Sequence, residues 1–254
     1  MKVFLTGASS GIGLALAHEF SRRGASLGLV ARRADRLAAL AGQLPGPCRV
    51  YALDVTDRPA LLAAARDFEA ACGGADIVIA NAGISTGVQT EYVADLAVFD
   101  RVLATNLHAA ATTFHPFVGP MRERRAGTLV AIASVAGIRG LPGSEAYCPS
   151  KAALINYAEC LRVGLRGSGV RVVTIAPGFI RTPMTAGNPY PMPFLTDVDA
   201  FAVRAVDAIL RGDSFRVIPW QMAWVARLLR ILPDWAFDRA LAGRARKPRA
   251  GAAR

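Results

Sequence analysis

An α/β fold is predicted for this chain: a single domain built on one doubly wound parallel sheet of about seven strands. Two observations predict it. Strand-length apolar runs alternate with longer helical patterns, and the runs lack polar alternation, so both of their faces must be covered by helices. The 254 residues also show no internal repeat and no linker that would split them, and folds of this kind reach that length as one unit. Ligands are then expected at the carboxyl ends of the strands.

The first run, residues 3–6, leads into a helix reaching Arg23. Residues 27–31 precede a helix to Leu44, and residues 49–55 a helix to Cys72; runs at 76–83, 128–134 and 170–178 continue the series. Residues 182–196 hold four prolines among Met184, Tyr190, Met192 and Phe194. This is a long loop, and residues 183–200 are expected to form a substrate lid. Residues 220–238 form an amphipathic segment, with Trp220, Trp224, Val225, Leu228, Ile231 and Leu232 on one face and Arg227 and Arg230 on the other. That apolar face is expected to cover the chain's own core or a neighbouring subunit, with peripheral contact to anionic lipid as the alternative. Residues 1–238 thus make the domain. Residues 239–254, rich in arginine with Gly, Ala and Pro between, are expected as a mobile basic tail.

The net charge of +11 comes from scattered residues, only three of them lysine. No aromatic-interleaved basic stripe accompanies it, which argues against nucleic-acid binding. Cys48, Cys72, Cys148 and Cys160 form no C-x-x-C pair, and His108 and His115 lack an acidic or thiol partner, so no metal site is expected. No apolar run reaches the roughly 18 residues that span a bilayer. With the first strand starting at Lys2, no cleavable leader is expected. A cytoplasmic protein with reduced thiols is expected.

Gly7, Gly11 and Gly13 lie in TGASSGIG (residues 6–13), between the first strand and the first helix. There the chain must turn tightly and can offer backbone N–H groups to a pyrophosphate at the helix N-terminus. Lys151 follows Tyr147 by four residues, which puts phenol and ammonium on one helical face. The cation can stabilise a phenolate and make Tyr147 an acid/base near neutral pH. Ser134 precedes the tyrosine by 13 positions. Reducing a carbonyl needs a hydride donor, a proton donor aimed at the oxygen and a group that stabilises the alkoxide. This set supplies the last two.

These motifs stand in the order of the short-chain dehydrogenase/reductase family, which the chain resembles from Lys2 to about Pro219: TGASSGIG, the LDV around Asp54, NAG at Asn81, Ala82 and Gly83, then Asn106, Ser134, Tyr147 with Lys151, and Pro177-Gly178 followed by Thr182. The resemblance implies a Rossmann-type fold, an NAD(P)-dependent oxidoreductase, and a homodimer or homotetramer joined through helices beginning near Asn106 and Tyr147. It implies that Ser9, Ser10 and Ile12 line the glycine turn, that Asp54 bonds the adenine amino group while Val55 supports the ring, and that Asn81, Ala82 and Gly83 approach the adenosine ribose. Asn81 can also brace the sheet, and Asp57 is a better helix cap than Asp54. Thr182 and the backbone at Ile180 are implied to hold the nicotinamide carboxamide, and Pro177 and Gly178 to belong to the same cofactor site. Tyr147 is implied to donate the proton and Ser134 to bond the same oxygen. Lys151 is implied to lower the phenol pKa and hold the nicotinamide ribose, while Asn106 positions a water behind Lys151.

Cofactor choice turns on the residue after the second strand, where an NAD enzyme usually carries a carboxylate. Here Ala31 is followed by Arg32 and Arg33, which can pair with a 2′-phosphate. NADP is therefore expected over NAD, although Ser10 stands where many NADP-preferring relatives carry a basic residue. The substrate is expected to meet Ser134, Ile138, Tyr147, Met184, Tyr190 and Met192, with further walls from 84–86 and 138–145. An apolar or lipid-like carbonyl is favoured over a sugar. The alternatives are a 3-oxoacyl-thioester reductase and a non-catalytic nucleotide-binding regulatory protein. The intact Asn106, Ser134, Tyr147 and Lys151 set argues for an enzyme.

Overall fold

The computed structural model describes residues 1–249. Seven strands, β1 (Lys2–Thr6), β2 (Ser26–Ala31), β3 (Cys48–Ala52), β4 (Ile77–Ala80), β5 (Gly127–Ile132), β6 (Val170–Pro177) and β7 (Phe215–Ile218), form one sheet in the order β3-β2-β1-β4-β5-β6-β7. Every neighbouring pair is parallel. The order reverses between β1 and β4, so the crevice at their carboxyl ends is the expected ligand site.

Alternation along the strands builds two cores. Val3, Leu5, Ile77, Ile79, Val130 and Ile132 face α1 (Gly11–Arg22), α2 (Ala34–Gln43) and α7 (Val198–Arg211). Phe4, Val78, Ala80, Leu129 and Ala131 face α3 (Arg58–Cys72), α5 (Ala109–Glu123) and α6 (Tyr147–Gly164). Both faces are buried, which is why the runs read as uninterrupted apolar sequence. On the second face the Phe4 ring lies 5.5 Å from Phe68 and 5.2 Å from Phe117. Truncating such a buried ring to alanine costs about 3–5 kcal/mol.

Two strands are shorter than the apolar runs. β3 stops at Ala52 and β4 at Ala80, leaving Leu53–Val55 and Asn81–Gly83 outside the ladder. Helix α3 begins beyond the first of these at Asp57, whose Oδ1 accepts from the Ala60 N–H at 3.0 Å. Asp54 is therefore not the cap. Between α4 (Ala94–Leu103) and α5 the chain makes a π-helical stretch, Ala104–His108, that carries Asn106.

The C-terminal segment departs from expectation. It forms two helices, α8 (Trp220–Ile231) and α9 (Asp234–Leu241), and α8 buries Met222 and Ala226 rather than its tryptophan face. Trp220, Trp224, Leu228 and Ile231 are 57–77 % exposed. The chain's own core does not cover them. The segment is held by a set of arginine bonds that no apolar periodicity encodes. Arg139 donates to the carbonyls of Leu229 (2.5 Å) and Leu232 (2.6 Å) and to Asp234 Oδ1 (2.6 Å), and Arg230 donates to the Ile138 carbonyl at 3.1 Å. These bonds tie the end of α8 to residues 138 and 139, with Trp220, Trp224, Leu228 and Ile231 left on the outside. No described helix is long and apolar enough to cross a membrane.

The expected mobile tail, as far as it is described, runs back across the domain. Arg249 makes a bidentate pair with Asp95 (2.7 and 2.9 Å), a residue only 2 % exposed, and its guanidinium lies 3.4 Å from the centre of the Tyr92 ring. Residues 250–254 of that tail lie outside the described residues.

Candidate active site

At the end of β1, Gly7 (φ 72°) and Gly11 (φ 54°) take a left-handed backbone that other residues adopt at a cost. Gly7 is also pressed against the neighbouring strand end, where an added Cβ would lie 2.8 Å from both Ala82 Cα and Asn81 Nδ2. A Cβ at Gly13 would run into the Gly7 carbonyl. The turn therefore packs tightly as well as exposing N–H groups. Asn81 donates to the Thr6 carbonyl at 2.9 Å, and Thr6 Oγ1 accepts from Asn81 N (3.1 Å) and Ala82 N (3.2 Å). Asn81 thus braces the sheet. Thr6 is a site-shaping residue missed in the sequence, where its only signal is a polar residue ending an apolar strand.

The strand ends open onto a cleft of about 460 Å³. Gly7, Ser9, Ser10, Gly11, Ile12 and Gly13 line it from the turn, Asp54 and Val55 from beyond β3, and Asn81, Ala82 and Gly83 from beyond β4. Pro177, Gly178, Ile180 and Thr182 close it from the end of β6. Thr182 Cγ2 would be 3.3 Å from a Cβ at Gly11, so only glycine lets the turn and the lid base approach without displacement. The lid itself is tied off by backbone bonds from Arg181 N to Thr196 O and from Thr196 N to Phe179 O, both 2.9 Å, and it ends where α7 begins at Val198.

Arg32 and Arg33 stand at one end of the cleft and part company there. Arg32 turns to Asp54, with Nη1 3.7 Å from Oδ2, while Arg33 Nη2 donates to Ser9 Oγ and Ser10 Oγ at 3.0 Å each. Burial opposes charge on Asp54, but bonds from the Thr56 N–H (2.9 Å) and hydroxyl (2.8 Å), together with Arg32, hold its carboxyl below the usual range.

Ser134, Tyr147 and Lys151 line the opposite end. Ser134 Oγ accepts from Ala136 N at 3.1 Å, which leaves its own proton free to be given. Burial pushes the Tyr147 phenol up to about 12, and a hydrogen bond with Ser134 pulls the other way. Lys151, 4 % exposed, donates to the Ile132 carbonyl at 2.8 Å, and burial draws its pKa down to about 8. Its ammonium lies 5.9 Å from the Tyr147 ring centre. The expected depression of the tyrosine by Lys151 does not appear: burial sets the direction, and Ser134 is the group that opposes it.

Asn106 does not reach the cleft. Its Oδ1 accepts from Ile84 N at 2.8 Å, and its Nδ2 donates to the Ile84 carbonyl (3.0 Å) and to Ser150 Oγ (2.9 Å). The side chain is a brace between the β4 loop and α6. Of the expected substrate residues, Met184 lines the same cleft as Ser134 and Tyr147, whereas Ile138, Tyr190 and Met192 do not line it. Ile138 is held at the foot of α8 by Arg230. Met192 faces a separate hollow with Arg244 and Ala245, and Tyr190 lies against Phe179, ring centres 6.4 Å apart. No metal-holding cluster of His, Cys, Asp or Glu occurs among the described residues.

Comparison with known proteins agrees with this geometry. A family model described as short chain dehydrogenase matches residues 1–190. The chain is 40 % identical over 245 residues to a protein of Myxococcus xanthus (strain DK1622) named uncharacterized oxidoreductase, covering 93 % of this chain and 94 % of that one. Among solved structures it is similar to a short-chain dehydrogenase from Sphingobium yanoikuyae in complex with NADPH, with a TM-score of 0.78 and 28 % identity over 92 % of this chain and 96 % of that one. It is also similar to L-sorbose reductase from Gluconobacter frateurii complexed with NADPH and L-sorbose, with a TM-score of 0.75 and 26 % identity over 85 % and 94 % of the two chains.

Proposed function

The chain belongs to the short-chain dehydrogenase family and is an oxidoreductase of alcohol and carbonyl groups, and we propose that it interconverts a ketone or aldehyde with its alcohol using NADP(H). The observation that carries this reading is the continuity of one cleft from two guanidiniums, through a glycine turn, to a serine–tyrosine–lysine cluster. The residues suit a dinucleotide: the positive-φ glycines leave room for a phosphate against the start of α1, and Arg32 and Arg33 offer charge to a 2′-phosphate.

The bound cofactor supplies or accepts the hydride at the carbonyl carbon. Tyr147 gives its proton to the carbonyl oxygen, and Ser134, its acceptor side already occupied by Ala136 N, donates to the same oxygen and stabilises the developing charge. A phenol held near 12 keeps its proton throughout the neutral range, which suits the reducing direction. Lys151, fixed by the Ile132 carbonyl, presents its remaining N–H groups toward the ribose side and the phenol. Asn106 acts through others as a positioning residue, locking the β4 loop to α6.

The substrate is an apolar or lipid-like carbonyl compound, a reading that rests on Met184 in the lining of the cleft. A homodimer or homotetramer in the cytoplasm completes it. The test is a set of initial rates with NADPH and with NADH on apolar ketones, aldehydes, keto-sugars and 3-oxoacyl thioesters. Turnover with NADPH preferred, and apolar ketones ahead of sugars, is the expected result. Faster rates with NADH, or a preference for sugars or acyl thioesters, would replace the corresponding part of the reading.

A further inference from the structure

The C-terminal strap brings a second lysine to the reactive tyrosine. Lys247 Nζ lies 5.7 Å from the Tyr147 ring centre and donates to Ser85 Oγ at 2.5 Å, 162 residues away in sequence. Two loops are cut back to admit it. A Cβ at Gly143 would lie 2.7 Å from Lys247 N, and one at Gly87 would run into the Lys247 carbonyl. The strap is then anchored two residues on by Arg249, paired with buried Asp95 and bridged to Gly87. A flexible chain end ordered this firmly has a defined address.

Among the described residues no carboxylate lies within salt-bridge distance of Lys247, and its one side-chain bond is to a neutral hydroxyl. Burial draws its pKa down, so the site bears part of the cost of holding a cation away from water. Two residues on, Arg249 does have a carboxylate partner, Asp95. A half-buried cation left with a neutral partner beside a proton donor fits a charge that arrives with the substrate.

We propose that Lys247 is a specificity-determining residue that binds an acidic group of the substrate, so that the enzyme acts on carbonyl compounds carrying a carboxylate or similar oxyanion a few bonds from the carbonyl carbon. Met184 then meets the apolar body of the same molecule, and Lys247 its acidic end. Arg249 is a positioning residue that holds Lys247 there.

This inference rests on the carbonyl-reductase reading, and the two fail differently. Matched pairs of 2-, 4- and 5-oxo acids and their primary amides, assayed with NADPH, give the acid-over-amide ratio of kcat/KM. Calorimetry of the corresponding hydroxy acids and hydroxy amides, binding to the NADP complex, gives the same ratio without turnover. We expect the wild type to prefer the acid of at least one pair. Lys247→Met should lower that ratio at least tenfold and Lys247→Arg should keep most of it, while Arg249→Gln lowers it mainly through KM. A wild-type ratio at or below one for every pair in both measurements, or a Lys247→Met ratio equal to wild type, overturns the proposal. Absence of turnover on all carbonyls, with the binding preference intact, would instead count against the carbonyl-reductase reading alone.

Discussion

Arg33 donates one guanidinium nitrogen to the hydroxyls of both Ser9 and Ser10, each at 3.0 Å. The glycine turn has serine where many NADP-preferring relatives carry a basic side chain, and Arg33 reaches across from the end of β2 to bring a cation over that position. Arg32, the more obvious selector in sequence, leans instead on Asp54 at 3.7 Å. The two arginines thus have different partners, Asp54 for Arg32 and the two serines for Arg33.

Arg33→Ala should therefore weaken NADP binding far more than NAD binding. The loss of a charge-assisted contact amounts to about 1.5–3 kcal/mol, and Arg32→Ala should give the smaller of the two selective losses because its charge is already shared with Asp54. Fluorescence titration of both cofactors checks this. Equal losses for NADP and NAD in both variants would show the arginines to be solvated surface.

Lys151 carries a stability signature of its own. Its pKa is lowered from 10.5 to about 8 by burial, so between those values the unfolded chain holds a proton that the folded chain has lost, and wild-type stability rises as pH climbs through the window. A depression of that size corresponds to about 3 kcal/mol. Lys151→Met, free of this penalty, should unfold at a higher temperature than wild type at pH 7, and the gap should narrow toward pH 10. A gap that widens with pH would contradict the assignment.

The sheet was legible because strands buried on both faces write their pattern locally, and the glycine turn and the Tyr147–Lys151 pair are short spacings within one turn or one helix. What escaped lies between distant segments. Lys247 meets Ser85 across 162 residues and Arg249 meets Asp95 across 154, and no composition signal in a Gly-, Ala- and Arg-rich end announces either. Asn106 was recognisable by its place in a motif, yet its bonds to Ile84 and Ser150 depend on the π-helical stretch that turns it inward. The periodicity of α8 gives an apolar face but not what covers it, and in the chain itself that face lies outside the core.

On α8, Trp220, Trp224, Leu228 and Ile231 are exposed together. With homo-oligomerisation as the proposed cover, Trp224→Glu combined with Ile231→Glu should shift the sedimentation profile to a smaller species while leaving the fold intact, since neither side chain is buried in the chain itself. Salt-sensitive co-sedimentation of the full chain with acidic vesicles, lost in the double variant with assembly unchanged, would make anionic lipid the cover instead.

The central claim is that Tyr147 supplies the proton at the carbonyl oxygen while the rest of the cleft holds the cofactor. Its most direct test is Tyr147→Phe, followed by NADPH oxidation with the best carbonyl substrate and by NADPH titration on the same sample. Removing a general acid typically costs about 10²–10⁴ in rate, so kcat should fall by at least about a hundredfold with NADPH affinity close to wild type. A folded Tyr147→Phe variant that turns over at near the wild-type rate would contradict the account.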